Sequence, residues 1–241
     1  MDERLKKIVN ESERIVFFGG AGVSTESHIP DFRSETGLYH AKSVYGYPPE
    51  TILSADFYFD HNELFYKYYK ETLIIRDAEP NDAHRALAKL EAEGKLAAVI
   101  TQNIDGLHQK AGSRVVYELH GSTQRNYCEK CGAFYDLAYI MEEGHCKNGV
   151  PHCEKCGGRV KPDVVLYGEM LNDDTVESAV KAIHEADTLI IGGTSLVVYP
   201  AAGLINYFSG SHLVLINKTK TPYDDRADLV IYDSIGKVMK Y

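Results

Sequence analysis

The sequence predicts an α/β protein built on a mainly parallel sheet with helices on both faces. Two observations carry this reading. Short apolar runs rich in β-branched and aromatic residues recur at Ile15–Phe18, Ala98–Thr101, Val115–Leu119, Val164–Tyr167, Leu189–Ile191, Leu213–Ile216 and Leu229–Tyr232. Near-continuous apolarity over four or five residues is how a strand buried on both faces reads. Helical periodicity separates several of these runs, and that alternation is the signature of parallel strands joined by crossovers.

The helical stretches have individual warrants. Asp2–Ser12 places Leu5, Ile8 and Val9 on one face. Asn81–Gly94 ends at a glycine, a helix stop. Asp173–Ala186 sets Val176, Val180 and Ile183 along one side. Two segments break the pattern. Ser34–Glu79 is long, aromatic and partly helical, and Arg125–Val160 holds all five cysteines. The expected organisation is a discontinuous sheet domain over 1–34, 80–124 and 161–241, a helical aromatic insertion over 35–79 and a cysteine module over 125–160.

The bulk numbers bound the function. The 241 residues are 44% hydrophobic and 25% charged, as in ordinary soluble globular proteins. A formal charge of -9 argues against nucleic-acid binding through phosphate contacts. It is compatible with a cationic partner such as a lysine-rich peptide. The charged start Met1–Lys7 lacks a signal-peptide core, and no stretch has the apolar length to span a bilayer. A cytoplasmic monomer with no membrane partner is expected. Five cysteines, an odd number, disfavour a simple disulfide framework.

The strand ends are more informative. Ile15–Phe18 runs into Gly19-Gly20-Ala21-Gly22-Val23-Ser24-Thr25, and Ala98–Thr101 into Gln102-Asn103-Ile104-Asp105. Val115–Leu119 runs into His120-Gly121-Ser122, Leu189–Ile191 into Gly192-Gly193-Thr194-Ser195, and Leu213–Ile216 into Asn217-Lys218. Any one of these is an ordinary turn composition. Five together deliver polar groups to the edge where open parallel sheets bind ligands, which gives the fold a Rossmann-like character. Gly20-Ala21-Gly22 stands where a phosphate-binding turn would open a helix. The full G-x-G-x-x-G fingerprint fails at Thr25, and no acidic residue ends a second strand to hold a ribose.

Cys128-x-x-Cys131 and Cys153-x-x-Cys156 are paired half-sites separated by 21 residues, each followed by a glycine, Gly132 and Gly157. Such pairs can set four thiolates tetrahedrally around zinc, and with no open position the zinc is structural. A redox pair or disulfides are the alternatives. Cys146 is left over as a free thiol or spare ligand.

These residues resemble one family. Gly20-Ala21-Gly22-Val23-Ser24, Pro30-Asp31-Phe32-Arg33, Thr101–His108 (TQNIDGLH) and Leu119-His120-Gly121 are similar to the motifs of the sirtuins, the NAD-dependent protein deacylases. So are the two C-x-x-C pairs, Lys161–Glu169, Gly193–Pro200 and Ile216-Asn217, in the family's order and over nearly the whole chain. The resemblance implies consumption of NAD, acyl-lysine proteins or peptides as partners, and deacylated lysine, nicotinamide and O-acyl-ADP-ribose as products. It implies that Gly20, Ala21, Gly22, Thr25 and Arg33 surround the NAD phosphates, with Phe32 over the reacting ribose. Gln102, Asn103, Ile104 and Asp105 would line the nicotinamide end. Gly193, Thr194, Ser195, Asn217 and Ile235 would hold the adenosine half. Val165, Leu166 and Gly168 would pair by backbone with the substrate peptide. His120 would be the general base, an imidazole poised near neutral pH; Asn103 and Asp105 would grip the carboxamide.

There are departures. The family usually has glycine where His28 stands, which matters if that backbone needs positive φ. Relatives that remove succinyl or malonyl groups carry a tyrosine and, three residues later, an arginine. Those positions here are Tyr66 and Tyr69. Tyr66 is thus placed in the substrate pocket, and the missing cation points to acetyl or longer neutral acyl groups. His84 and His108 are read as structural. The competing readings are a mono-ADP-ribosyltransferase on the same scaffold and a non-catalytic NAD- or ADP-ribose-binding module.

Overall fold

The structure, a computed structural model, describes residues 1–30 and 42–240. Along them run strands β1 (Ile15–Gly19), β2 (Leu96–Thr101), β3 (Val116–Glu118), β4 (Gly121–Cys128), β5 (Phe134–Tyr135), β6 (Cys146–Lys147), β7 (Val150–Pro151), β8 (Val160–Val164), β9 (Thr188–Gly192), β10 (His212–Ile216) and β11 (Leu229–Ile231). Six of them form an all-parallel sheet in the order β11-β10-β9-β1-β2-β3. The chain winds outward from β1 through β2 to β3, then restarts on the other side of β1 with β9. The strand order therefore reverses between β1 and β9, the topological switch point of a doubly wound sheet.

Burial explains why these runs lack alternation. Ile15, Phe17, Val99, Ile190 and Val214 meet the helices Glu3–Glu11, Asp82–Ala92 and Ile235–Met239 on one face. Val16, Phe18, Ala98, Ile191 and Leu215 meet the helix Asp173–His184 and the turn Ala201–Tyr207 on the other. Both sides of each central strand are core, so hydrophobic burial acts on every residue. The helices carry local stop and start signals. Asp2, Asn81 and Asn172 accept backbone N–H groups as N-caps, and Gly94 stands in the left-handed region at φ +76°. Each cap contributes about 1 kcal/mol. Among the described residues no helix is long and apolar enough to cross a membrane.

One expected strand is not in the large sheet. The run Val164–Tyr167 follows the end of β8, which lies in a separate sheet, β5-β4-β8, antiparallel to β4. Its apolarity comes from a different core. Tyr58, Phe65, Tyr66 and Tyr69 from the aromatic segment pack with Cys128, Cys153, Val160 and Leu166 in one cluster. The aromatic and cysteine segments, read as two excursions, therefore share one small core.

His84 and His108 are buried against each other, ring centroids 4.7 Å apart. His84 Nδ1 accepts the Asn81 N–H at 3.2 Å, which requires a neutral ring on that side. Burial pushes the His84 imidazole down to about 4 and the His108 imidazole down to about 3. Unfolded imidazoles titrate near 6.5, so in acid the unfolded chain binds protons that the folded chain refuses, and stability falls as pH drops. The urea midpoint should decrease from about pH 6.5 to about pH 5, with a shallower slope in His108→Leu. A flat midpoint across that window would contradict this.

Candidate active site and metal centre

The loops after β1 and β9 meet at the switch point backbone to backbone. Gly22 N–H donates to the Gly193 carbonyl at 2.8 Å, and Gly20 N–H to that of Gly192 at 3.3 Å. A Cβ on Gly22 would stand 2.7 Å from Gly193 Cα. One on Gly193, whose φ is +60°, would stand 2.4 Å from the Val23 nitrogen. Only glycine permits this approach. The chain then makes two 3₁₀ turns, Ala21–Val23 and Thr25–Ser27, in place of the expected helix start. They end at His28, which holds a left-handed φ of 63°, a conformation that costs a non-glycine residue about 1–2 kcal/mol.

The loop after β2 is held by side chains. Asn103 Nδ2 donates to Ser24 Oγ at 3.0 Å, and Ser24 Oγ donates to Asp105 Oδ2 at 2.7 Å. Asp105 Oδ1 accepts the Leu107 N–H at 2.9 Å. Burial raises the Asp105 carboxyl above its usual range, while the Ser24 hydroxyl and Leu107 amide oppose that shift. Ser24 was not among the expected site residues, although it closes the Gly20–Ser24 motif. Gln102 Nε2 donates to Thr194 Oγ1 at 3.2 Å, tying this loop to the one after β9.

His120 sits at the joint between the two sheets. Gly121, at φ +75°, follows it, and a Cβ there would fall 1.9 Å from the Asp163 carbonyl oxygen. The His120 carbonyl accepts the Val165 N–H at 3.0 Å. Its Nδ1 lies 2.9 Å from the Gln102 carbonyl oxygen. A carbonyl only accepts, so Nδ1 carries the hydrogen, and in the neutral ring Nε2 does not.

One cavity of about 720 Å³ gathers these groups. Gly20, Ala21, Gly22, Thr25, Gln102, Asn103, Ile104, Asp105, His120, Gly193, Thr194, Ser195, Asn217 and Ile235 line it, as do Val165, Leu166 and Gly168. Phe32 and Arg33 lie outside the described residues. Tyr66 lies apart from this lining. It is fully buried in the small core, its hydroxyl donating to the Val160 carbonyl, and it does not line the cavity. Tyr69 is equally buried.

The Cys128, Cys131, Cys153 and Cys156 sulfurs all lie within 4.8 Å of one another. Cys128 and Cys156 are 3.4 Å apart, Cys131 and Cys153 3.6 Å, near the roughly 3.8 Å edge that four 2.3 Å bonds to a tetrahedral zinc require. Both knuckles repeat one geometry. Gly132 N–H donates to the Cys128 carbonyl and Gly157 N–H to that of Cys153, with both glycines at φ +70°. Burial pushes the Cys128 thiol up, but the Cys131 and Lys130 amides outweigh it and leave the thiol below its ordinary range. The donor set fits a structural zinc. Cys146 stands apart from this cluster, beside Lys70 Nζ at 3.2 Å.

A doubly wound sheet with a cavity at its switch point and an attached four-cysteine module defines a nucleotide-binding α/β protein with a structural metal site. The Sir2 family model matches residues 20–200. The NAD-dependent protein deacetylase of Clostridium acetobutylicum is 63% identical over 98% of this chain and 95% of its own. A solved Sir2 with a p53 peptide and NAD+ superposes with a TM-score of 0.87 at 39% identity, covering 98% of this chain and 95% of that one. Another, with a deacetylated p53 peptide and 3'-O-acetyl ADP ribose, superposes with a TM-score of 0.88 at 38% identity, covering 99% and 96%. The chain belongs to the Sir2 family.

Elemental analysis of the purified protein should find one zinc per chain. Cys131→Ala should lose it and melt several degrees lower, since metal binding to such a site is folding free energy. Full zinc content in a Cys131→Ala/Cys153→Ala variant would contradict the assignment.

Proposed function

We infer that this chain is an NAD-dependent protein-lysine deacetylase that releases deacylated lysine, nicotinamide and O-acyl-ADP-ribose. The observation that carries the inference is the convergence of Asn103, Asp105 and His120 on one cavity with the glycine loops of the switch point. The similarity to proteins named as NAD-dependent protein deacetylases over almost the full chain supports it.

Each residue type suits its proposed task. The close-packed Gly20–Gly22 turn lets a pyrophosphate approach the main chain at Ala21 and Thr25, the Gly20 and Gly22 N–H groups being taken by the Gly192 and Gly193 carbonyls. Thr194, Ser195, Asn217 and Ile235 form a mixed polar and apolar wall suited to an adenosine. NAD supplies a glycosidic bond whose breakage leaves positive charge on a ribose. Asn103 and Asp105, held by Ser24, can grip the nicotinamide carboxamide. Nε2 of His120 can take a proton from a ribose hydroxyl. Phe32 and Arg33 keep their roles from the sequence resemblance alone. Peptide pairing rests on the Val165 carbonyl and the Gly168 backbone, because Leu166 already uses both its N–H and its carbonyl on Glu169. Leu166 is part of the cavity wall.

We divide the chain functionally into the cofactor domain (1–34, 80–124, 161–241) and the small domain (35–79 with the zinc module 125–160). The four-thiolate site suits a reducing compartment, which supports a cytoplasmic location; we take the protein as a monomer.

The test is mass spectrometry of an acetyl-lysine peptide with and without NAD. We expect NAD-dependent loss of the acetyl group with appearance of acetyl-ADP-ribose, and a rate at least about 10²-fold lower for His120→Ala. NAD loss with an ADP-ribose mass gain on protein, or no NAD turnover at all, would overturn the reading.

A further inference from the structure

The β4–β8 ladder loses register between Ser122, paired with Asp163, and Asn126, paired with Pro162. Thr123, Gln124 and Arg125 bulge out of it, and bulges beside a site commonly re-aim side chains. Here all three grip the loop after β2 or the strand beside it. The Thr123 N–H and Oγ1 both donate to the Ile104 carbonyl, at 2.9 and 3.0 Å. The Gln124 side chain covers Gly106, where a Cβ would stand 3.2 Å from Gln124 Cγ. Arg125 Nη1 donates to Glu118 at 2.6 Å, and its Nε donates to Asp163 at 2.7 Å. The Glu118 side chain is buried, and its partner across β2 and β3 is Thr101, from which the Gln102–Asp105 loop departs.

We propose that this bulge positions the Asn103–Asp105 loop, and that Arg125 is its positioning residue, locking β4 to β3 and masking the Glu118 carboxylate from the Asp105 pocket. The proposal rests on the reading of Asp105 as a cofactor-binding carboxylate. Geometry and charge agree. Burial raises the Asp105 carboxyl, and the Glu118 charge adds to that shift. Among the described residues the groups that act on Asp105 are the Ser24 hydroxyl from the β1 loop, the Leu107 amide from its own loop, Glu118 from β3 and, paired to Glu118, Arg125. His120 lines the same cavity. Removing Arg125 leaves the Glu118 carboxylate buried without its cation, on the residue that pairs with Thr101 at the root of the Asp105 loop. A carboxylate facing an unmasked like charge holds its proton to higher pH.

The experiment is a ¹³C NMR titration of the Asp105 carboxyl, assigned with Asp105→Asn, in four forms of the full chain: wild type, Arg125→Gln, Glu118→Gln and the double variant. The midpoint should rise by about one unit in Arg125→Gln and fall in Glu118→Gln. In the double variant it should return to within a few tenths of wild type. In parallel, the pH below which KM for NAD climbs should move up by about one unit in Arg125→Gln, with KM unchanged well above it. A folded Arg125→Gln with an unmoved Asp105 midpoint, or one that the double variant fails to restore, would overturn the proposal. If Arg125→Gln does not fold, the Glu118→Gln shift decides alone, and an unmoved midpoint there overturns it. The titration needs no turnover, so an inactive wild type would sink the deacetylase reading while leaving this one decidable.

Discussion

The contact on which the site depends is the backbone approach of Gly22 to Gly193. It joins the loops after β1 and β9, the two strands between which the winding reverses. Side chains at Gly20, Gly22 or Gly193 would drive those loops apart, since each Cβ would meet the opposite loop or its neighbour at 2.8 Å or less. With the loops closed, the polar ends of β2 and β10 face the same crevice and the cavity has a floor made of main chain. The missing third glycine of the dinucleotide fingerprint follows from the same geometry. Thr25 opens a second 3₁₀ turn, and its hydroxyl donates to the Gly22 carbonyl at 3.0 Å. A close glycine contact with a following helix is not needed there.

His120 is the mechanical joint of the molecule. β3 belongs to the large sheet and β4 to the small one, and His120 lies between them. Its ring rests on the Gln102 carbonyl from the cofactor side, and its own carbonyl holds Val165 from the small-domain side. Small-core packing, which includes Cys128 and Cys153, thus reaches His120 through β8 and the Val165 N–H.

Much of this was legible in the sequence, and the reasons are specific. The central strands read clearly because Phe17 and Phe18 are buried on opposite faces, so apolarity is continuous. The cysteine knuckles read clearly because Gly132 and Gly157 mark the left-handed position that each turn requires. β4 was hidden because Gly121-Ser122-Thr123-Gln124-Arg125-Asn126 is polar throughout and is stabilised by a distant antiparallel partner. Val164–Tyr167 misled because apolar residues facing the small core look like those of a sheet strand. The burial of Tyr66 was not legible, because a motif position says nothing about which way a ring packs. Ser24 was in plain view as the end of a motif, but its bridge from Asn103 to Asp105 exists only once two loops meet.

The central claim is that the carboxyl edge of the sheet, at the switch point, is where NAD binds. Amide hydrogen exchange measured with and without NAD tests it directly. The account predicts slowed exchange across Gly20–Thr25, Gln102–Asp105 and Gly193–Ser195, with the zinc knuckles unchanged. Protection elsewhere with those three loops unaffected, or none at saturating NAD, would contradict it.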